Sequence, residues 1–190
     1  MTIYTTLRLL TLILLAILEA YWEINKRKAM MLKPITSNKS RMVEIISLIL
    51  IETFVLLNLL GLVIFPFKNL IIQFFGFLLV LIGFSESMIA RKTLSDNWTE
   101  SYKYQIKKNH KLITKGIYQY VRHPIYGGLI LVSTGALLVS GSYTFIAGLI
   151  IMLFAAEIFA KREEKLLTKH FGKKYIDYMK ITKKFIPFIY

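Results

Sequence analysis

Five long apolar runs constrain the fold of this chain more than any other feature. They cover about residues 2–22, 42–65, 70–90, 124–140 and 143–160. A helix needs about 20 mostly apolar residues to cross the hydrocarbon core of a bilayer, so these runs predict membrane-spanning helices. For the first run a signal peptide is the alternative, but no basic segment precedes it and no small-residue cleavage site follows it. We therefore predict a mature all-α integral membrane protein with about five transmembrane helices.

The composition excludes several other classes of protein. Hydrophobic residues make up 55% of the chain, and the mean hydropathy of +0.54 exceeds that of a soluble domain. The absence of cysteine excludes disulfides, thiolate metal sites and cysteine nucleophiles. A net charge of +14 could indicate nucleic-acid binding, but the basic residues flank apolar runs and form no separate basic face. We expect no nucleic-acid partner.

The positions of the basic residues predict the orientation in the membrane. The loop at residues 23–41 carries Lys26, Arg27, Lys28, Lys33, Lys39 and Arg41. If this loop is cytoplasmic, only Arg8 and Lys68 of the 25 lysines and arginines lie outside, as the positive-inside rule favours. The N-terminus is then outside and the C-terminus is cytoplasmic. The segments 93–126 and 161–190 share the cytoplasmic side and can form one pocket there.

A polar segment at residues 93–115 separates the third and fourth apolar runs. It is too polar to span a bilayer, and its Trp98, Tyr102 and Tyr104 suit the membrane interface. We expect this segment to lie at the cytoplasmic surface.

The stretch from Gly116 to Gly128 lies where this polar segment meets the fourth run. Pro124 suits the first position of a helix, and His123 before it suits the cap position. The N–H groups that follow would attract an anionic group to the helix N-terminus; they belong to Ile125, Tyr126 and Gly127. The alternative is an ordinary helix start with a snorkelling Arg122 and interfacial tyrosines. The spacing alone is compatible with both.

A second polar cluster, Lys161-Arg162-Glu163-Glu164-Lys165, continues the fifth helix beyond its apolar run. Adjacent residues on a helix point about 100° apart, so one glutamate could face a ligand while the other holds a neighbouring segment. The alternative is a solvated helix end with minor support from pairs such as Glu157 and Lys161. Gly172 ends the helix, and residues 173–180 form a short amphipathic piece.

Several ionisable residues lie within the apolar runs; Glu52 is the most central, and Glu86 lies late in the third run. Glu52 and Glu86 are either functional groups or protonated side chains hydrogen-bonded to a neighbouring helix. No spacing of His, Asp and Glu indicates a metal site, and no glycine-rich phosphate loop, dinucleotide fingerprint or nucleophile elbow is present.

The second half of the chain, roughly residues 92–190, carries a set of spaced motifs. They are Asp96-Asn97-Trp98, His110-Lys111-Leu112, Gly116-Ile117-Tyr118, Arg122-His123-Pro124-Ile125-Tyr126-Gly127-Gly128, Glu163-Glu164, Phe171-Gly172, Tyr175-Ile176-Asp177-Tyr178 and Pro187. In these motifs the chain resembles the isoprenylcysteine carboxyl methyltransferase family and, more distantly, the phospholipid methyltransferases. The resemblance divides the chain into residues 1–91, three helices lining a lipid-side entry, and residues 92–190, the methyltransferase core.

The resemblance implies that the protein binds S-adenosylmethionine without a Rossmann fold and releases S-adenosylhomocysteine. It implies that the catalytic residues are Arg122, His123, Glu163 and Glu164. It implies that the cofactor-binding residues are Lys111, Leu112, Gly116, Tyr118, Arg122, His123, Pro124, Tyr126, Glu163 and Glu164.

The implied reaction is methyl transfer to a lipophilic carboxylate, with a lipid or prenylated small molecule as substrate. The alternatives are a phospholipid amine, a phenol or a thiol as acceptor, or a non-catalytic membrane transporter or scaffold. The expected surroundings are membrane lipids, and the sequence is compatible with a monomer.

Overall fold

The computed structural model describes residues 2–29, 38–98 and 110–186. The α-helices in these ranges are α1 (Ile3–Ala29), α2 (Asn38–Leu59), α3 (Leu70–Leu94), α4 (Pro124–Ser140), α5 (Phe145–Phe171) and α6 (Lys173–Ile181). Short 3₁₀ turns occupy Ser95–Asn97 and Gly116–Gln119. The described residues contain no β-strand, although isolated bridges join Pro66 to Ser142 and Val121 to Lys183. The prediction of an all-helical protein is confirmed.

Several helix boundaries follow the sequence signals closely. Helix α4 begins at Pro124 with His123 at the cap position, and it ends at Gly141, whose φ of 72° is left-handed. Helix α5 continues past the apolar run, as predicted, and Gly172 separates it from α6. A glycine is favoured at both breaks because it adopts positive φ without steric cost.

Helix α2 ends earlier than its apolar run. The run continues to Phe65, but the helix stops at Leu59. Left-handed backbone at Gly61, with φ of 103°, and at Phe65, with φ of 52°, turns the chain before Pro66. The connection to α3 is therefore longer than predicted, and it ends where the Asn69 side chain accepts a hydrogen bond from the Ile72 N–H at 3.1 Å.

Two helices of the described part are long and apolar enough to cross a membrane. They cover Ile3–Asn25 and Leu70–Leu94, while Ile45–Leu59 and Pro124–Ser140 form shorter apolar helices. The predicted division at residues 91 and 92 falls inside α3, whose C-terminal part continues to Leu94. That division stays a prediction.

Helices α3 and α4 run antiparallel in direct backbone contact. A Cβ atom added at Gly76 would lie 2.8 Å from the Gly135 carbonyl oxygen, and one added at Gly128 would lie 2.7 Å from the Gly83 carbonyl oxygen. Small residues at such a crossing let two helices approach closely, and the gain in packing is the usual source of helix association in lipid. This contact fixes how α4 lies relative to α3.

The end of the bundle near the turn after α4 is closed by backbone hydrogen bonds. The Phe67 N–H donates to the Gly141 carbonyl at 2.7 Å, and the Tyr143 N–H donates to the Phe65 carbonyl at 3.0 Å. The Arg8 guanidinium donates to the Ser140 carbonyl at the same end. The opposite end is formed by the start of α4, the end of α3 and the second half of α5, and it carries the polar motifs.

Gly83→Ala tests the α3–α4 contact. The new methyl group would lie 2.8 Å from the Leu131 Cβ and 2.9 Å from the Val132 backbone nitrogen, so the helices must separate. We expect a loss of about 1–3 kcal/mol in stability, measured as thermal unfolding in detergent. Gly148→Ala is the matched control, because its methyl group would meet only the end of the flexible Leu137 side chain. Equal unfolding temperatures for the two variants would contradict a rigid contact.

Candidate active site

The dipeptide Arg122-His123 lies between the 3₁₀ turn and the first residue of α4. Its backbone is held by the segment that follows α6: the Arg122 N–H donates to the Lys183 carbonyl at 2.8 Å, and the His123 N–H donates to the Lys184 carbonyl at 2.9 Å. The proline at the next position fixes the start of α4. Both side chains therefore have a defined direction.

The His123 ring lies between two carboxylates. Its Nδ1 atom is 3.5 Å from Glu163 Oε2, and its Nε2 atom is 3.3 Å from Glu164 Oε1. The ring stacks on Tyr126 with 5.5 Å between the ring centroids. The Tyr126 hydroxyl donates to Glu163 Oε2 at 3.0 Å. The adjacent glutamates on α5 thus share His123 but approach different nitrogens of its ring.

Arg122 joins three segments of this end of the molecule. Its Nε donates to Glu164 Oε1 at 2.9 Å. Its Nη1 donates to the Met179 carbonyl at 3.2 Å and to the Thr182 carbonyl. Within the described residues its Nη2 atom has no hydrogen-bond partner.

The pKa values of this cluster follow from burial and opposite charge. Burial alone would lower the pKa of His123, but the hydrogen bonds and charges of Glu163 and Glu164 raise it above its usual 6.5. Burial would raise the pKa of both glutamates, but His123 lowers it in each. With the further help of Arg122 and Lys184, the pKa of Glu164 falls to about 2. Both carboxylates are therefore ionised at neutral pH.

A cavity of about 600 Å³ opens beside this cluster. Most of the predicted cofactor-binding residues line it: Lys111, Leu112, Tyr118, Arg122, His123, Tyr126 and Glu163. The segment of Lys111 is fixed by its backbone N–H, which donates to the Asn97 side chain at 2.8 Å. The structure therefore brings together the motif segments that the sequence separates.

Three predicted residues lie behind the cavity wall. Pro124 is fully buried at the start of α4. Gly116 has a left-handed φ of 62° and lies against Thr93. Glu164 contacts Arg122 and His123, which themselves line the cavity. The Gly127 N–H, expected to point outward, donates to the His123 carbonyl at 3.1 Å, because the cap residue accepts the first helical bond.

Tyr175 and Tyr178 of α6 also line the cavity, although sequence reasoning assigned them no role in it. The Tyr178 hydroxyl donates to the Tyr118 carbonyl at 2.5 Å. Tyr175 is 1% exposed, and its hydroxyl has no hydrogen-bond partner among the described residues. Burial and then the charges of Glu164 and Glu163 raise the pKa of Tyr175 above its usual value, so it stays a neutral phenol. The spacing of these tyrosines after Phe171-Gly172 is the sequence feature from which a place in the site could have been predicted.

Glu52 and Glu86 have different surroundings. Glu52 lines the cavity, together with Glu19 and Glu23 of α1. Glu86 lies beside the first turn of α4, with Oε1 3.4 Å from the position of a Cβ atom at Gly127. Tyr102, Tyr104 and Pro187 lie outside the described residues.

The architecture and the cavity together define a helical protein with apolar, membrane-length helices and a polar site at one end of the bundle. A family model described as phospholipid methyltransferase matches residues 71–174, more than half of the chain. The chain belongs to this family.

Curated relatives and a solved structure agree with this assignment. Protein-S-isoprenylcysteine O-methyltransferase B of Arabidopsis thaliana is 29% identical over 119 residues, which are 60% of this chain and 59% of the relative. The protein-S-isoprenylcysteine O-methyltransferase of Schizosaccharomyces pombe is 38% identical over 85 residues, 43% of this chain and 35% of that protein. The solved eukaryotic intramembrane Ras methyltransferase ICMT (isoprenylcysteine carboxyl methyltransferase) is 26% identical with a TM-score of 0.55, covering 62% of this chain and 43% of that one.

The resemblance inferred from the motifs is thereby confirmed. The chain spans about three fifths of the length of the plant relatives that it matches.

The charged group formed by Arg122, His123, Glu163 and Glu164 is here called the ion cluster. Glu164→Gln tests it through the pH dependence of protein stability. A carboxyl with a lower pKa in the folded protein stabilises the fold above its ordinary pKa of 4.5 and loses that effect as the pH falls towards about 2. We expect the variant to be about 1–3 kcal/mol less stable at pH 7, and we expect the difference to shrink between pH 4.5 and 2. Thermal unfolding at stepped pH measures it.

Asp177→Asn is the control for this experiment, because Asp177 forms an exposed pair with Lys180 at 3.0 Å. Such a pair contributes little to stability, so its loss should change the pH profile only slightly. A Glu164→Gln profile parallel to that of the wild type would contradict the assigned role of Glu164.

Proposed function

We propose that the protein is an integral membrane methyltransferase that uses S-adenosylmethionine and acts on a lipophilic carboxylate, as an isoprenylcysteine carboxyl O-methyltransferase does. The observation that carries the proposal is the meeting of Arg122, His123, Tyr126 and Glu163 on one wall of the cavity. The names of the relatives and of the similar solved structure support the same reaction.

The side chains at the cavity suit the charges of the methyl donor. Its ammonium group needs a carboxylate, which Glu163 supplies. Its sulfonium can lie against the faces of Tyr118 and Tyr126. Its carboxylate needs a cation or a helix N-terminus, and Arg122 Nη2 and the first turn of α4 offer both. His123 and Glu164 would then act on the ligand by holding Glu163 and Arg122 in place.

The acceptor can enter from the lipid. Beyond the polar cluster the cavity is lined by apolar residues of two helices, Ile45, Leu48 and Ile49 on α2 and Met152, Ala155 and Ala156 on α5. An apolar tail between α2 and α5 would keep the reacting group near Glu163. In this proposal five helices span the bilayer, the N-terminus is outside and the cavity opens to the cytoplasm, since the basic residues flank that end.

The protein's contribution to such a reaction is mainly positioning. When bound, S-adenosylmethionine supplies an electrophilic methyl group and leaves as S-adenosylhomocysteine. A carboxylate acceptor is already a nucleophile and needs no general base. The described residues would align the two reactants and exclude water, and Tyr126 and His123 would keep the Glu163 carboxylate fixed.

A phospholipid amine is the second candidate acceptor. Glu19, Glu23 and Glu52 line the cavity on the side of α1 and α2. Carboxylates at this place favour a cationic group and disfavour an anionic one. The family model is also named for phospholipid methylation. An amine would have to lose a proton before methyl transfer, and Glu52 would then be tested as the base.

Calorimetry with S-adenosylhomocysteine tests the cofactor assignment. We expect wild-type protein in detergent to bind it, and we expect Arg122→Ala and Glu163→Gln to weaken binding at least roughly tenfold, because each removes a charged contact. Asp177→Asn is the matched control on the exposed side of α6. No binding by the wild type at millimolar ligand would refute the proposal, and intact binding in both variants would refute the site.

Transfer of a labelled methyl group distinguishes the acceptors. A prenylcysteine analogue should give a base-labile label, since the product is an ester, whereas a phospholipid amine gives a base-stable one. With an amine acceptor, Glu52→Gln should lower the rate at least roughly tenfold. With a carboxylate acceptor the same variant should keep or raise the rate, because it removes a like charge from the cavity. Base-stable label on the phospholipid alone would exclude the carboxylate reading.

A further inference from the structure

The segment after α6, residues 182–186, is here called the C-terminal strap. Its carbonyls accept the backbone N–H groups of Arg122 and His123 and, at Thr182, the Arg122 side chain. In addition, its Lys183 N–H donates to the Tyr120 carbonyl at 2.9 Å. The strap is also anchored by side chains. Thr182 Oγ1 donates to the Tyr178 carbonyl at 2.6 Å, and Phe185, 4% exposed, belongs to a core cluster with Ile130, Ala156 and Ala160. The strap therefore has one defined position against the site.

The strap carries a largely buried cation to the back of the ion cluster. The Lys184 side chain is only 12% exposed, and its Nζ atom lies 2.9 Å and 3.1 Å from the two carboxylate oxygens of Glu157. The same atom lies 3.8 Å from Glu164 Oε2. Lys161 also contacts Glu157, at 3.2 Å, but its side chain is 69% exposed. Lys184 is thus shared between two carboxylates of α5.

The two carboxylate oxygens of Glu164 contact different groups. Oε1 accepts from Arg122 and pairs with His123, whereas Oε2 faces Lys184. The charged and titratable groups that act on this carboxylate come from four elements, namely Arg122 and His123 before α4, Glu163 on α5, Tyr175 on α6 and Lys184 on the strap. Without the ammonium, Glu157 would keep the exposed Lys161, and Glu164 would keep its partners at Oε1 but lose the cation that faces Oε2. A partly buried carboxylate that loses a cation is driven towards water, which favours a turn of the Glu164 side chain.

We propose that Lys184 is a positioning residue, which holds the Glu164 carboxylate against Arg122 and His123 so that His123 presents Nδ1 to Glu163 at the cavity wall. The proposal rests on the proposed function only for the identity of the ligand, since the contacts themselves belong to the protein. Lys184 does not itself line the cavity, so the effect of its side chain on a ligand passes through Glu164.

The titration of His123 measures this role in the full-length protein in detergent. The chain has three histidines, so the ring signals can be assigned by single substitutions in a ¹⁵N-histidine sample. In Lys184→Met we expect the pKa of His123 to fall, with its proton affinity down roughly tenfold, because Glu164 no longer faces Nε2. If Glu164 kept its place, the loss of a nearby positive charge would instead leave the pKa of His123 unchanged or raise it. A fall in the pKa of His123 supports the positioning role of Lys184, and an unchanged or raised pKa contradicts it.

Two further variants complete the experiment. Lys184→Arg keeps the cation and should restore the wild-type titration. Lys183→Met removes the exposed neighbouring charge on the same strap and should match the wild type. If Lys184→Met does not fold, Lys184→Met/Glu157→Gln removes the cation together with the carboxylate that it contacts most closely, and the same fall in the pKa of His123 is expected.

Binding of S-adenosylhomocysteine is the second readout, with affinity for Lys184→Met expected to drop roughly tenfold. If the wild type binds no ligand while the pKa of His123 falls as expected, the proposed function fails and the role of Lys184 stands. If the wild type binds ligand while the pKa of His123 stays or rises in the variant, the role of Lys184 is refuted and the proposed function stands.

Discussion

The backbone contact between α3 and α4 is the constraint on which the rest of the structure depends. With no Cβ atoms at the Gly83–Gly128 crossing, the two helices have one depth of approach and one register. That register places the start of α4 near the end of α3, beside Glu86. Because α4 is short, its first residue has little freedom once the crossing is set. The position of Arg122 and His123 therefore depends on the packing of α3 against α4.

The second constraint is charge compensation in a small volume. Two cations, one imidazole and three carboxylates meet where α5 joins the chain segments that flank α4 and α6. They belong to Arg122, Lys184, His123, Glu157, Glu163 and Glu164. Burying such a set gains little net stability, because desolvation opposes the attraction. The cluster contributes orientation more than stability, because the hydrogen bonds and ion pairs among its members fix the direction of each charged side chain. A ligand then meets groups that are already oriented.

Much of this could be predicted from the sequence, and the reasons are local. Proline at a helix start, glycine at a helix end and the angular separation of Glu163 and Glu164 depend on near neighbours along the chain. The early end of α2 could not be predicted, because its apolar run continues through a turn that only backbone dihedrals reveal. The roles of Tyr175 and Lys184 could not be predicted, because the residues around them are far away in sequence. Lys184 looks like any lysine of a basic segment until the strap brings it to Glu157.

The pairing of the C-terminal strap with Tyr120 and Arg122 has a consequence for biogenesis. Residues 182–186 follow every helix that they help to hold, so they leave the ribosome after all of those helices. Until then the backbone N–H groups of Arg122 and His123 lack their partners, and Glu164 lacks its ammonium. The ion cluster therefore cannot be complete until α6 and the strap have been synthesised.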